Sequence, residues 1–170
     1  LKGLEDDWDT VFNLLIDSNG EVQITVEIVD EKEMIQLLQS SDAMVGSDAK
    51  GASLTGKLKI GNPHPRNFGT YPKILGQLVR DQKVLKLEDA IRKMTSFPAR
   101  VFGIRDRGLL QPGYWADIVI FNKNTVIDRS TYEQPFQYPD GIQHVLINGV
   151  PVIVNSNQND QLPGMIIRRH

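Results

Sequence analysis

An α/β part followed by a small β part is the fold class that residues 1–170 predict, and three observations carry it. Helix and strand signals alternate from Trp8 to Gly46. From Gly108 the texture changes to short apolar runs separated by turn residues. Asn148-Gly149 stands between two such runs, and that dipeptide favours the positive φ angles of a type I′ hairpin.

The elements follow in order. Trp8, Val11, Phe12 and Leu15 recur at i, i+3, i+4 and i+7, one stripe of a helix that Asp6 and Asp7 favour at its start and Asn19-Gly20 ends. Val22, Ile24, Val26 and Ile28 alternate with Gln23, Thr25 and Glu27, the period of a strand. Asp30 and Glu33 form a helix start signal ahead of Met34, Ile35, Leu37 and Leu38. Ala43 to Gly46 reads as a second short strand, which completes the rhythm of a parallel βαβ sheet. Between Asp48 and Tyr71 there is no periodicity, and a loop of that length is a functional lid or a disordered segment. Pro72 suits the first position of a helix carrying Ile74, Leu75, Leu78 and Val79. Leu87, Ala90, Ile91 and Met94 share the face of another, with Glu88 and Asp89 early and Arg92 and Lys93 late, as the helix dipole prefers. Pro98 and Gly103 bracket one more helical turn. The β part then offers Ile118–Phe121, Val145–Ile147, Val150–Val154 with Pro151 at an edge or bulge, and Gly164–Arg168. The two parts divide as 1–104 and 105–170, with Arg100, Arg105, Asp106 and Arg107 as a solvated joint.

Composition narrows the chemistry. Nineteen basic against 21 acidic residues give a net charge of −2, so nothing favours nucleic acid or an anionic membrane. Trp8 and Trp115 accordingly read as packing groups. The absence of cysteine excludes disulfides, thiolate metal sites and cysteine nucleophiles. His64, His144 and His170 form neither an HxH nor an HExxH pair, which argues against a self-contained zinc site. No apolar run is long enough for a membrane span or signal peptide, and the expected compartment is the cytoplasm. A chain of 170 residues is too short for a complete (β/α)₈ barrel of about 250 residues. A first residue of leucine points to a fragment or a processed product.

Three residues are candidates for chemistry. Asp48 ends the Gly46-Ser47-Asp48 tripeptide where a predicted strand opens into the loop, the position at which barrels keep catalytic carboxylates. There it can ligate a divalent metal and act as a general base, or it can simply cap a turn, the commoner role of an aspartate so placed. In His64-Pro65-Arg66, flanking prolines hold a stiff extended stretch, and the Arg66 fork suits a substrate carboxylate; a surface ion pair is the alternative. His64 itself reads as a hydrogen-bonding loop residue, and His144 as a strand residue with a satisfied ring nitrogen.

Gly46-Ser47-Asp48, His64-Pro65-Arg66, Gly69-Thr70, Leu75-Gly76, Arg105-Asp106-Arg107-Gly108 and Pro112-Gly113 with Ala116-Asp117-Ile118-Val119 occur in an order that resembles the C-terminal portion of N-acyl-D-amino-acid deacylases, the D-aminoacylases of the amidohydrolase superfamily. The likeness extends through Gln137-Tyr138-Pro139 to Asn148-Gly149. It implies the terminal part of a (β/α)₈ metal-dependent hydrolase barrel followed by a small β-sandwich-like domain, with zinc as cofactor. It further implies that Asp48 is a metal ligand and proton shuttle, and that Arg66 binds the α-carboxylate of an N-acyl amino acid. Ala49 stands where glycine is common, and the loop to His64 is long, with Lys50, Lys57 and Lys59; both departures bear on side-chain preference. The remaining metal ligands of such enzymes precede the matched portion. The expected function is therefore that of a deacylase fragment, inactive alone, whose partner is the missing N-terminal barrel portion or a second copy bound through exposed strands. A dihydroorotase-like or hydantoinase-like cyclic amidase, and a non-catalytic interaction module, are the alternatives.

Overall fold

A computed structural model describes residues 7–168 except 23, 25 and 27. The chain falls into two compact units, 1–30 and 31–170. In the first, helix α1 (Asp7–Asp17) forms as its apolar stripe predicts, and Trp8 and Phe12 lie with ring centroids 6.5 Å apart. It ends where Asn19 and Gly20 take positive φ angles and Gly20 N–H donates to Leu15 O at 2.7 Å, returning a free carbonyl to a partner. Of the strand expected over Val22–Ile28, the described residues Val22, Ile24, Val26 and Ile28 belong to no ladder, and the intervening Gln23, Thr25 and Glu27 lie outside the described residues. Alternation gives a segment the pattern of a strand, but a strand exists only when its N–H and C=O groups meet those of a neighbour.

In the second unit, α2 (Glu31–Gln39) leads into Ala43–Gly46, which also carries no ladder. One backbone bond ties that stretch down, from Val45 N–H to Lys93 O at 3.1 Å. Helix α3 (Arg66–Lys73) starts six residues before Pro72, the residue from which the sequence predicts it. Its first free N–H is capped by a side chain, Arg66 N–H donating to His64 Nδ1 at 3.0 Å. Pro72 lies inside the helix, where its ring lacks a donor, and the chain continues beyond it in wide π-type turns over Ile74–Asp81. Helices α4 (Leu87–Met94) and α5 (Ser96–Val101) follow. Ile74, Leu78, Leu85 and Ala90 form the buried cluster, with Ile35, Leu38 and Val45 packed against it.

The β part is one antiparallel sheet of four strands in sequential order, β1 (Ile118–Phe121), β2 (Ile142–Ile147), β3 (Val150–Val154) and β4 (Asn157–Gln158). Asn148 and Gly149 turn the β2–β3 hairpin with φ of 51° and 82°, the two positive angles that a type I′ turn requires. Pro151 pairs with Leu146 where the register shifts, the bulge that tolerates a residue without N–H. The fourth strand is Asn157–Gln158 and not Gly164–Arg168, for which no ladder forms. Gly69 and Gly76 bring the helices against the chain that leads to β2. A Cβ on Gly76 would come within 2.4 Å of Val126 O, and one on Gly69 within 3.1 Å of Asp128 Cβ. The expected joint at Arg105 thus lies inside the second unit, whose helices and sheet segment pack directly together.

Candidate active site

The tripeptide 46–48 is anchored from below by a lysine whose importance the sequence conceals. Lys93, expected to complement a helix dipole at the surface, has a side chain with 0% exposure. Its ammonium donates to Ser40 O and, at 3.1 Å, to Ala43 O, while Asp89 Oδ2 lies 3.7 Å away. A buried ammonium needs such acceptors, and satisfying them fixes the path of the chain into Gly46-Ser47-Asp48. Asp48 then takes φ of 48°, a left-handed conformation that aspartate reaches more readily than most residues.

Asp48 and Arg66, separated by 18 positions, meet. Arg66 Nη2 lies 2.6 Å from Asp48 Oδ2, and Arg66 Nε donates to Asp48 O at 3.0 Å. The two contacts consume one side of the guanidinium fork. Three of its five N–H groups remain, including the pair on Nη1, enough to take a carboxylate in bidentate fashion. The Asp48 side chain is 86% exposed and that of Arg66 42%, so the pair is open to solvent. Asp48 caps no helix among the described residues; its carboxylate is spent on Arg66 alone.

His64 belongs to the same cluster. Its Nδ1 accepts the Arg66 N–H, and its Nε2 lies 3.0 Å from the Tyr132 hydroxyl, with the two rings edge to face at 5.1 Å. Burial lowers its pKa below the ordinary 6.5, the Arg66 cation lowers it further, and the Asp48 anion works in the opposite direction. Arg66, His64, Tyr132 and Gly46 line a cavity of about 510 Å³ whose inner wall is apolar, from Met34, Leu38, Met44, Val45, Ile74 and Leu78. Another cavity, about 570 Å³, lies against α4 and α5 and contains none of these groups. Tyr132 escapes sequence reasoning because nothing in Ser130-Thr131-Tyr132 differs from an ordinary polar loop. His144 lies in β2 and accepts the Asn155 N–H at 3.4 Å; His170 is outside the described residues.

Of the expected solvated joint, Arg100, Arg105 and Asp106 are exposed, whereas Arg107 is an internal staple. Arg107 pairs with Asp117, donates to Asn148 Oδ1 at 2.6 Å and lies over the Trp115 ring, while Asp117 Oδ1 accepts Asn148 N–H at 2.8 Å. Arg107-Gly108 and Ala116-Asp117 therefore hold the β2–β3 turn.

No group of three or more His, Cys, Asp or Glu side chains suited to a metal ion occurs among the described residues. Among them, too, no helix is long and apolar enough to cross a membrane. The profile of the amidohydrolase family matches residues 5–153. The chain belongs to that family. It is 43% identical over 141 residues to N-acyl-D-glutamate deacylase of Alcaligenes xylosoxydans xylosoxydans, which covers 83% of the chain and 27% of the relative. It is 38% identical over 142 residues to D-aminoacylase of the same organism, covering 84% and 28%. The crystal structure of N-acyl-D-glutamate deacylase from Bordetella bronchiseptica, complexed with zinc and a phosphonate that mimics the tetrahedral intermediate, superposes with a TM-score of 0.65 and 44% identity over 73% of this chain and 25% of that one. This amidohydrolase chain thus spans about a quarter of the length of the relatives it matches, and its helices and antiparallel sheet share their fold.

Proposed function

We propose that the chain is the C-terminal part of a deacylase of N-acyl-D-amino acids, with 1–104 supplying the last strands and helices of a (β/α)₈ barrel and 105–170 part of a small β domain. The observation that carries this reading is the open Asp48–Arg66 pair: a carboxylate free to move a proton stands beside a guanidinium with an unused edge for an anionic substrate. Arg66 holds the substrate's α-carboxylate and so fixes the acyl carbon relative to Asp48. Asp48 accepts a proton from the attacking water as the C–O bond forms. It returns that proton to the amide nitrogen as the C–N bond breaks, releasing a carboxylate and a free D-amino acid.

Zinc, in this reading, supplies a Lewis acid and an acidified water. The described side chains do not make a site for it, since no three His, Asp or Glu side chains come together among them. Asp48 is then one member of a donor set completed by an N-terminal barrel portion or by a second copy. The exposed Ile24 and Ile28 support such a covering partner.

Kinetics of the full polypeptide carrying this chain test the proposal. With N-acyl-D-amino acids, Asp48→Asn is expected to lower kcat by ~10²- to 10⁴-fold. Arg66→Ala should raise KM by about 10- to 100-fold, the worth of a charged hydrogen-bonded contact. An unchanged KM would favour a cyclic amide substrate, and zinc-dependent turnover by the 170 residues alone would overturn the incompleteness of the site.

A further inference from the structure

The His64–Tyr132 contact has a determinate polarity. A backbone N–H can only donate, so the bond from Arg66 N–H to His64 Nδ1 requires that nitrogen to be unprotonated. The imidazole is then neutral with its proton on Nε2, and Nε2–H must be the donor across the 3.0 Å to Tyr132 Oη. Tyr132 Oη, acting as acceptor, keeps its own proton, and among the described residues that proton meets no protein acceptor. Tyr132 lines the same cavity as Arg66.

The loop that carries Tyr132 is held shut. Ser130 Oγ donates to Pro135 O at 2.6 Å, Thr131 N–H to Gln134 O at 3.1 Å, and Gln134 N–H to Thr131 Oγ1 at 3.0 Å. Asn62 Nδ2 adds a bond of 3.1 Å to Tyr132 O, so the tyrosine backbone is tied to the His64 segment independently of its ring. A hydroxyl needed only as a staple would duplicate that bond. A preorganised donor aimed at a ligand needs this kind of support around it.

The geometry points to Tyr132 as a second ligand-binding residue of the cavity, donating its hydroxyl proton to a carboxylate oxygen of the anion that Arg66 holds, with His64 as the positioning residue that leaves that proton free. The inference rests on the reading of Arg66 as a carboxylate-binding group. Tyr132→Phe preserves the ring packing and the Asn62 bond while removing the hydroxyl, the free donor together with the acceptor of His64 Nε2–H.

The test combines two measurements on the full polypeptide carrying this chain. The nitrogen shifts of the His64 ring should report the neutral Nε2–H form; an Nδ1–H form would overturn the inference whatever the variants do. Titration with N-acetyl-D-glutamate should show Tyr132→Phe binding about 10-fold more weakly, as one lost hydrogen bond to a charged group predicts. Unchanged affinity in Tyr132→Phe together with weakened affinity in Arg66→Ala overturns this inference and leaves the deacylase reading standing. No binding by the unsubstituted full polypeptide overturns both.

Discussion

Two arginine–aspartate pairs in this chain share their chemistry and differ in what surrounds them. Arg107 and Asp117 have side chains 9% and 35% exposed, and both also bond Asn148, so the pair is drawn into holding the hairpin turn. Arg66 and Asp48 are 42% and 86% exposed, and among the described residues no third side chain bonds to the guanidinium or the carboxylate. A pair largely withdrawn from water and tied to a third residue is structural. The Asp48–Arg66 pair stays open to solvent, with Arg66 on a cavity wall, and that exposure distinguishes the candidate site from the staple.

Removing each arginine should break the comparison most clearly. Arg107→Ala strands Asp117 and the Asn148 side chain and is expected to destabilise the fold by about 2–3 kcal/mol in denaturant melts. Arg66→Ala should cost no more than about 1 kcal/mol, because an exposed pair gains little over hydration. Equal losses would mean that Asp48–Arg66 is also a structural bond. An effect between these two should come from Lys93→Met, which keeps the length of the stem but leaves Ser40 O and Ala43 O without their ammonium. A loss of about 1–3 kcal/mol is expected, together with altered amide shifts in 46–48. Unmoved shifts there would show that the ion pair, and not the lysine, positions Asp48.

The smallest effect is electrostatic. His64 should titrate below 6.5, Arg66→Ala should raise its midpoint by removing a cation, and Asp48→Asn should lower it by removing an anion. Because the folded value is depressed, the folded chain binds fewer protons than the unfolded chain as pH falls below 6.5. The His64 contribution to stability is therefore intact above 6.5 and lost as pH falls through the lowered folded value. An NMR titration reads all three shifts, and a midpoint at or above 6.5 would contradict the neutral ring that caps α3.

Local chemistry was legible wherever a few neighbouring residues decide the outcome. The end of α1 at Asn19-Gly20, the hairpin at Asn148-Gly149 and the bulge at Pro151 follow from backbone angles that particular residues permit. The start of α3 was missed because its cap is an imidazole, outside the usual set of capping side chains, and because Pro72 is tolerated inside a helix that widens after it. The Val22–Ile28 and Ala43–Gly46 segments show that alternation and apolarity name the face of a strand and not its partner.

The sequence by itself determined the helix-rich and β-rich parts and the family, since motif order and turn chemistry are written in consecutive residues. Only the tertiary structure decided that Lys93 is buried, that Arg107 is a staple, and that Tyr132 stands 3.0 Å from His64. Each depends on residues 10 to 68 positions apart meeting in space, and the strength of a charge or hydrogen bond is set by that meeting and by the water excluded from it.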